Sequence, residues 1–210
     1  MLNRPHVAIV EDESSVRESL ALLLSTAQID SLTFASAEDY LASPVKDAAC
    51  VILDNQLPGL SGLGLLKRIA ATGQDTAVIL ITGHGDVPTA VSAMKCGAFD
   101  FVQKPLDPEA LLLTVEEALA RTEQARDQHA QAEDFRSRLA LLTQREHEVF
   151  VLMIQGLPTK LIAHQLGITA RTTEHHRAAV MHKLRARTGS HLVRMALSYG
   201  VAAGDQVLGA

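Results

Sequence analysis

Four short apolar runs constrain the fold of this 210-residue chain more than any other feature of its sequence. They lie at residues 6–10, 50–53, 78–81 and 99–103, are rich in Val and Ile, and are separated by helix-like stretches. Runs of this length and composition are typical of strands buried on both faces. Strands that alternate with helices indicate a parallel sheet, so we predict an α/β fold for this part of the chain.

A polar side chain follows each of these runs. Glu11 and Asp12 follow the first run, Asp54 the second, Thr82 the third and Lys104 the fourth. Because the carboxyl ends of parallel strands line one edge of the sheet, where ligands bind, we expect these side chains to meet in one cleft. Three carboxylates, a hydroxyl and an ammonium together predict a site for a divalent cation and a phosphoryl group.

The carboxylates favour Mg²⁺, a hard cation that prefers oxygen ligands and retains several waters. We expect Asp12 and Asp54 to be ligands, Glu11 to hold an ion-bound water, and the backbone carbonyl of Gln56 to add a further ligand. Asp54 would also be the nucleophile that forms an acyl phosphate.

Lys104 and Thr82 are the predicted partners of the phosphoryl group. The ammonium of Lys104 would neutralise one phosphoryl oxygen, and the hydroxyl of Thr82 would donate a hydrogen bond to another. Each residue alone has a structural alternative, because the acidic run at residues 11–13 could start a helix, Asp54 could cap a turn and Lys104 could be a solvated surface charge. Their joint placement at strand ends favours the functional interpretation.

The charges are unevenly distributed, although the chain as a whole carries a net charge of −5. From Thr143 onward there are eight basic and four acidic residues, whereas the preceding part has eleven basic and twenty acidic residues. An acidic first part and a basic second part predict two domains, of which the second binds a polyanion.

Composition also bears on the location of the protein. The chain has no apolar run of roughly 20 residues and starts without an apolar signal segment, so we expect no membrane contact and a cytoplasmic location. Cys50 and Cys96 lie in or beside apolar segments, and we expect them to be buried thiols rather than a disulfide or a metal pair.

Helix starts are signalled by capping residues. Ser15, Ser36, Asp107 and Thr143 each stand at the predicted start of a helix. A Glu three positions after Ser15 and three positions after Thr143 completes the capping-box pattern at these two sites.

The polar stretch from Glu116 to Leu142 separates the two parts of the chain. It has few large apolar residues, so we predict an exposed linker helix without a core of its own, and a coiled coil is only weakly supported. We therefore expect a first domain at residues 1–121, a linker at 122–142 and a second domain at 143–210. In the last of these, a turn at Gly167 joins two helices, and the second helix is rich in basic and polar residues, which is typical of a helix-turn-helix.

Residues 5–120 resemble the receiver domain of two-component response regulators, in particular the FixJ branch. The similar motifs are Ile9-Val-Glu-Asp-Glu13, Leu53-Asp54, Leu57-Pro-Gly59, Ile81-Thr-Gly-His-Gly-Asp86, Ala93-Met-Lys-Cys-Gly-Ala98 and Lys104-Pro105. The resemblance implies a flavodoxin-like, doubly wound parallel sheet in which Asp54 is the phosphoacceptor and a sensor histidine kinase is the donor. It also implies that Thr82 and Phe101 form a coupled switch, and that the surface from the helix after Asp86 to the helix after Asp107 forms a homodimer.

Some positions depart from the receiver pattern. Glu11 stands where the family more often has Asp, Asn55-Gln56 replaces an aliphatic and a basic residue, and Leu106 replaces a frequent Phe. Gln56 and His84 each lie two residues beyond a predicted phosphoryl-binding residue. We predict that they tune the lifetime of the phosphoryl group by admitting or excluding the hydrolytic water.

Residues 142–202 resemble the LuxR/NarL-type helix-turn-helix. The similar motifs are Leu142-Thr-Gln-Arg-Glu-His-Glu-Val149, Gly156-Leu-Pro-Thr-Lys160, Ile162-Ala163, Leu166-Gly-Ile-Thr169, Arg171-Thr-Thr-Glu-His-His-Arg177 and Val180-Met-His-Lys-Leu184. The resemblance places the helix at residues 169–184 in the major groove, with Glu174, His175 and Ala178 toward the bases. The implied phosphate contacts are Lys160, Arg171, Thr172, Arg177 and Lys183. Thr159 stands in place of the usual Asn, and Thr173 in place of the usual Val.

These expectations describe a transcription regulator that phosphorylation of Asp54 converts into a dimer, which binds two half-sites of double-stranded promoter DNA about one helical turn (~10 bp) apart. RNA polymerase is a further candidate partner. The receiver would catalyse only its own phosphorylation and dephosphorylation. Three alternatives stay open: a phosphotransferase or hydrolase with an aspartyl phosphate, a DNA-binding regulator with a phosphorylation-independent receiver, and a scaffold that binds a partner protein through the linker.

Overall fold

The computed structural model describes residues 6–44, 48–83 and 87–201. The chain folds as two compact units, Met1–Asp127 and Gln128–Ala210. The first unit is a five-stranded sheet with helices on both faces, and the second unit is helical.

All neighbouring strands of the sheet are parallel, and their order is β2-β1-β3-β4-β5. The strands are β1 (Val7–Val10), β2 (Ser31–Phe34), β3 (Cys50–Asp54), β4 (Ala77–Thr82) and β5 (Asp100–Gln103). Each of the four predicted apolar runs therefore coincides with a strand, to within one residue at either end. No continuous apolar run marks the fifth strand, β2, because Leu32 and Thr33 on this edge strand are exposed.

Two cores form on the two faces of the sheet because successive residues of a strand point to opposite faces. The helices that begin in this unit are α1 (Ser14–Thr26), α2 (Ala37–Ala42), α3 (Gly62–Ala71), α4 (Val87–Lys95) and α5 (Pro108–Leu139), and the last part of α5 belongs to the second unit. On β3, Val51 and Leu53 pack with α2, α3 and α4, whereas Cys50 and Ile52 pack with α1 and α5. This arrangement is the doubly wound fold that the sequence indicates.

Two of the predicted helix starts in this unit are confirmed and one is wrong. The side chain of Ser36 accepts a hydrogen bond from Asp39 N at 3.1 Å, and Asp107 accepts from the second and third residues of α5. Ser15 does not cap a helix, because α1 begins one residue earlier with Glu13 as N-cap. The Ser15 hydroxyl instead donates to the carboxylate of Glu13 at 2.7 Å.

The helices of the second unit are α6 (Gln144–Ile154), α7 (Thr159–Leu166), α8 (Ala170–Lys183) and α9 (Gly189–Ser198). The capping box at the start of α6 is confirmed: Thr143 and Glu146 satisfy each other's backbone N–H groups. Gly167 ends α7 with a φ of 64°, a left-handed conformation that glycine adopts without strain. This residue turns the chain into α8, so α7 and α8 form the predicted helix-turn-helix.

The prediction of an exposed linker helix is wrong for part of its length. Ala132, Phe135 and Leu139 on α5 are buried, and the last two belong to the core of the second unit. These residues recur at intervals of three and four, which places them on one face of the helix. On the same helix Thr122 is buried in the first unit, where its hydroxyl donates to the carbonyl of Ala49 at 2.9 Å.

The two cysteines are free, and their surroundings differ. Cys50 lies inside β3, and burial raises the pKa of its thiol to about 12. The thiol is therefore protonated at neutral pH, as expected of a structural residue. Cys96, after α4, is only partly buried, so the prediction of two buried thiols is correct for Cys50 alone.

Candidate functional site

Three carboxylates meet at the carboxyl edge of the sheet. Val10 pairs with Leu53 in the register of β1 and β3, so Glu11 and Asp54 follow neighbouring positions. Ligand oxygens of Glu11, Asp12 and Asp54 lie within 4.8 Å of one another. Glu11 and Asp54 are buried, whereas Asp12 is exposed. The cluster is therefore open to solvent on the side of Asp12.

Lys104 closes this cluster from the end of β5. Its ammonium lies 2.9 Å from Glu11 Oε2 and 3.0 Å from Asp54 Oδ1. The backbone N–H of Lys104 donates to the carbonyl of Thr82 at 2.8 Å, which fixes the lysine next to the end of β4. The structure thus brings together the acidic residues and the lysine that the sequence predicts for the site.

The electrostatics of the cluster favour additional positive charge. Burial raises the pKa of Glu11, and the nearby carboxylate of Asp54 raises it further against the lowering effect of Lys104. For Lys104, burial acts to lower the pKa, but the hydrogen bonds with Glu11 and Asp54 outweigh it and the pKa is raised. Within the residues that the structure describes, three carboxylates face a single ammonium, so a divalent cation would balance the excess negative charge.

Backbone contacts hold the acidic loops in place. The guanidinium of Arg17, on α1, donates to the carbonyls of Glu11 at 2.7 Å and Asp12 at 3.1 Å. The backbone N–H of Gln56 donates to Asp54 Oδ2 at 2.7 Å. Asp54 is therefore held through both oxygens, Oδ2 by its own loop and Oδ1 by Lys104.

Gly62 permits the close approach of α3 to the loop after Asp54. A Cβ atom at this position would lie 2.2 Å from the carbonyl oxygen of Asp54 and 2.7 Å from the Cα of Asn55. Both are backbone atoms, so any side chain here would displace the segment that carries Asp54. The glycine is needed for space, since its φ is not in the left-handed region.

The remaining predicted receiver residues differ in their exposure to solvent. Thr82 is fully buried at the end of β4, and Phe101 is partly buried on β5. The side chain of Gln56 is exposed, and His84 lies outside the described residues. The switch role of Thr82 and Phe101, the carbonyl ligand at Gln56 and the tuning of phosphate lifetime stay predictions.

One face of α4 exposes a row of apolar side chains. Val87, Val91 and Met94 are 74%, 45% and 51% exposed. They are spaced by four and three residues and therefore share one face of the helix. This row lies on the surface that the resemblance implies for the homodimer.

The second unit presents most of the predicted DNA-contacting residues at its surface. Glu174, His175 and Ala178 on α8 are exposed. The exposed residues among the predicted phosphate contacts are Lys160, Arg171 and Thr172. Arg177 and Lys183 are partly buried. These roles in DNA binding stay predictions, and the structure shows that the two partly buried residues have other partners.

Lys183 is bound within the second unit. Its ammonium lies 2.5 Å from Glu146 Oε2 and donates to the carbonyl of Leu141 at 3.1 Å. The hydrogen bond with Lys183, together with the N–H of Thr143, lowers the pKa of the buried Glu146 to about 2. The sequence did not reveal this ion pair, because 37 residues separate its members; only the capping box at Glu146 was visible.

Thr173 and Thr159, which depart from the usual helix-turn-helix sequence, both form side-chain hydrogen bonds. The hydroxyl of the buried Thr173 donates to the carbonyl of Thr169, the N-cap of α8, at 3.0 Å. The hydroxyl of Thr159 donates to Glu174 Oε1 at 2.5 Å and thereby joins α7 to α8.

No helix in the described part of the chain combines the length and apolar character needed to span a bilayer.

Two known protein families match the chain, one for each of its two units. Residues 7–116 match the response regulator receiver domain, and residues 140–196 match the luxR family of bacterial regulatory proteins.

The chain is also similar to known transcriptional regulatory proteins over nearly its whole length. It is 46% identical to the transcriptional regulatory protein FixJ of Azorhizobium caulinodans, over 95% of each chain. It is 42% identical to the C4-dicarboxylate transport transcriptional regulatory protein DctR of Rhodobacter capsulatus, over 90% of this chain and 98% of that protein.

Solved structures give the same result. The response regulator StyR matches with a TM-score of 0.82 at 36% identity, over 93% of this chain and 99% of that one. Full-length FixJ from B. japonicum matches with a TM-score of 0.58 at 40% identity, over 95% and 98%. The acidic cluster with its lysine, the doubly wound sheet and the helix-turn-helix agree with these matches, and the chain belongs to the two-component response regulators with a receiver domain and a LuxR-type DNA-binding domain, a family of transcription regulators rather than enzymes.

Proposed function

We propose that phosphorylation of Asp54 by a sensor histidine kinase drives this regulator to dimerise and to bind specific promoter DNA. The observation that carries the proposal is the position of Asp54. Its carboxylate is buried, lies 3.0 Å from the ammonium of Lys104 and shares one cluster with Glu11 and Asp12. A carboxylate placed next to a cation site and an ammonium can accept a phosphoryl group, because positioning and charge neutralisation are the main requirements of this transfer.

The acidic cluster fits Mg²⁺, which receiver domains generally bind at such a pocket. Asp12 and Asp54 would be ligands, and Glu11 would hold an ion-bound water. The ion would supply positive charge to the phosphoryl oxygens. In the transfer, an oxygen of Asp54 bonds to phosphorus while the P–N bond to the donor histidine breaks and its electron pair stays on the imidazole. Lys104 then moves from the free carboxylate to a phosphoryl oxygen.

The surface beside the cluster suits a protein donor. An open groove of about 630 Å³ lies between α1 and the loop that follows β5, and Lys104 is among its lining residues. Its walls are largely apolar and include Leu20, Leu23 and Leu111, with Leu22 at 68% exposure. An apolar groove next to a reactive carboxylate favours docking of the kinase segment that carries the phosphorylated histidine.

The exposed row on α4 supports dimerisation. We propose that phosphorylation draws the hydroxyl of Thr82 toward the phosphoryl group and that the ring of Phe101 turns into the vacated space, which changes the surface around Val87, Val91 and Met94. A two-state change of this kind shifts the population of the dimer-competent form. Two paired second units would then place their α8 helices in successive turns of the major groove.

The decisive experiment compares the unmodified chain with Asp54→Asn, each with and without beryllofluoride and Mg²⁺. With beryllofluoride and Mg²⁺, we expect the unmodified chain to dimerise and to gain affinity for a DNA sequence selected from a random pool. We expect neither change in Asp54→Asn. DNA affinity that is the same in all four samples would favour a regulator whose receiver is independent of phosphorylation. RNA polymerase is then tested as a partner by its retention on the selected DNA.

A further inference from the structure

Thr159 and Glu174 form a contact between the two helices of the helix-turn-helix. Thr159 is the first residue of α7, and Glu174 lies in the second turn of α8. The Thr159 hydroxyl donates to Glu174 Oε1 at 2.5 Å, and the Nε of Arg177 lies 3.8 Å from the same oxygen. Among the described residues both contacts use Oε1, while 63% of the Glu174 side chain is exposed. The carboxylate is therefore held in place and still accessible.

A carboxylate on this helix has few favourable partners on DNA. It is repelled by the phosphates, and it can only accept hydrogen bonds. The donors on base edges in the major groove are the N4 amino group of cytosine and the N6 amino group of adenine, and Glu is the usual acceptor for cytosine N4. Adenine carries the N7 acceptor beside its N6 amino group, which opposes a carboxylate, so a Glu that faces the groove at this position would favour cytosine. The guanidinium of Arg177 would reduce its repulsion from the DNA backbone.

Orientation decides how much selectivity such a contact supplies. A free Glu side chain loses rotamer freedom when it binds, and this loss weakens the contact. The hydroxyl of Thr159 imposes that order before DNA binds. We propose that Thr159 is a specificity-determining positioning residue, which holds the Glu174 carboxylate to accept a hydrogen bond from cytosine N4. The inference rests on the proposed function, in which α8 enters the major groove.

The test uses the full chain with beryllofluoride and Mg²⁺ and a site selected from a random pool. Affinities are measured for that site and for all single-base changes in each half-site. We expect one position where the unmodified chain prefers cytosine by roughly 10-fold. Glu174→Gln should move the preference at this position to adenine, because an amide pairs with adenine N6 and N7.

Thr159 is tested in the same assay with matched substitutions. Thr159→Val removes the hydroxyl at nearly constant volume, and we expect the preference for cytosine to fall several-fold while affinity for unrelated DNA stays the same. Thr159→Ser keeps a hydroxyl and should retain the preference. Thr33→Val, on the exposed edge strand β2, is the control and should change neither.

Each outcome decides a separate question. If Thr159→Val lowers affinity for all sequences equally together with the melting temperature, Thr159 only joins α7 to α8 and the inference is overturned. An unchanged base preference in Glu174→Gln overturns it as well. If the unmodified chain selects no sequence from the pool, the proposed function fails, and the inference fails with it.

Discussion

The carboxylate of Glu146 at the start of α6 and the ammonium of Lys183 at the end of α8 form an ion pair at 2.5 Å. Glu146 also accepts a hydrogen bond from the N–H of Thr143, so one carboxylate completes a capping box and anchors α8. Lys183 in turn donates to the carbonyl of Leu141. The far end of α8 is thus fixed to α6 and to the segment that precedes it.

Because of this ion pair, we expect the second unit to lose stability at acid pH. The pKa of Glu146 is about 2 in the folded chain, below its ordinary value of 4.5, so its contribution is fully present above pH 4.5 and is lost as the pH falls toward 2. We expect Glu146→Gln to lower the free energy of unfolding by roughly 1.5–3 kcal/mol at pH 7. The difference from the unmodified chain should shrink at pH 3 in calorimetry.

Glu148→Gln is the matched control, because Glu148 pairs with Arg145 on the surface of the same helix. Its effect should stay within about 1 kcal/mol. An effect of Glu146→Gln that is equal at pH 7 and pH 3 would contradict the role of the ion pair.

Lys183 differs from the exposed basic residues because a contact with a DNA phosphate would compete with its ion pair to Glu146. We expect Lys183→Met to weaken DNA binding without changing the dependence of log affinity on log salt. Lys160→Met should reduce that slope by about 0.9, the value for one lost phosphate contact. The comparison is made by measuring DNA affinity at salt concentrations between about 50 and 200 mM. A reduced slope in Lys183→Met would show that Lys183 leaves Glu146 for the phosphate.

Lys104 contacts two of the carboxylates that are proposed to bind a cation, so the two would compete. Its ammonium lies within hydrogen-bond distance of Glu11 and Asp54, so Lys104→Met should strengthen Mg²⁺ binding by roughly 3- to 10-fold, which corresponds to about 1 kcal/mol. The same change should reduce the uptake of the phosphoryl group, because the phosphoryl oxygen that Lys104 is proposed to neutralise would lose its partner. Calorimetric titration with Mg²⁺ and mass spectrometry after incubation with acetyl phosphate measure the two effects. Weaker Mg²⁺ binding would contradict the competition.

Gly62→Ala tests the close approach of α3 to the Asp54 loop. The added methyl group would meet the backbone of Asp54 and Asn55, which cannot move aside like a side-chain tip, so we expect a loss of roughly 1–3 kcal/mol in the stability of the first unit. Gly189→Ala is the control, since nothing lies within 4 Å of a Cβ at this helical position. Equal melting temperatures for the two variants would show that the loop adapts at no cost.

The residues of the acidic cluster were predictable because strand ends in a parallel sheet share one edge. Glu11, Asp54 and Lys104 follow apolar runs, and the fold brings them into contact as the pattern predicts. The edge strand β2 was not predictable in this way, since half of it is exposed and its sequence lacks the apolar signal. Arg17 was missed because it acts on backbone carbonyls, which leave no trace in residue spacing.

The second unit shows the same limit. The helix-turn-helix followed from Gly167 and the caps, but the partner of Lys183 depends on tertiary packing and could not be read from local sequence. The burial of Phe135 was hidden because the polar residues around it dominate the composition of the stretch.

The burial of Phe135 and Leu139 has a consequence for anyone who wishes to exchange sensory modules between regulators of this kind. A graft that joins a foreign receiver at residue 143 would discard both side chains and leave the DNA-binding half with a hole in its interior. A junction at Gln128 keeps both side chains, so the suitable fusion point lies inside a helix rather than in a loop.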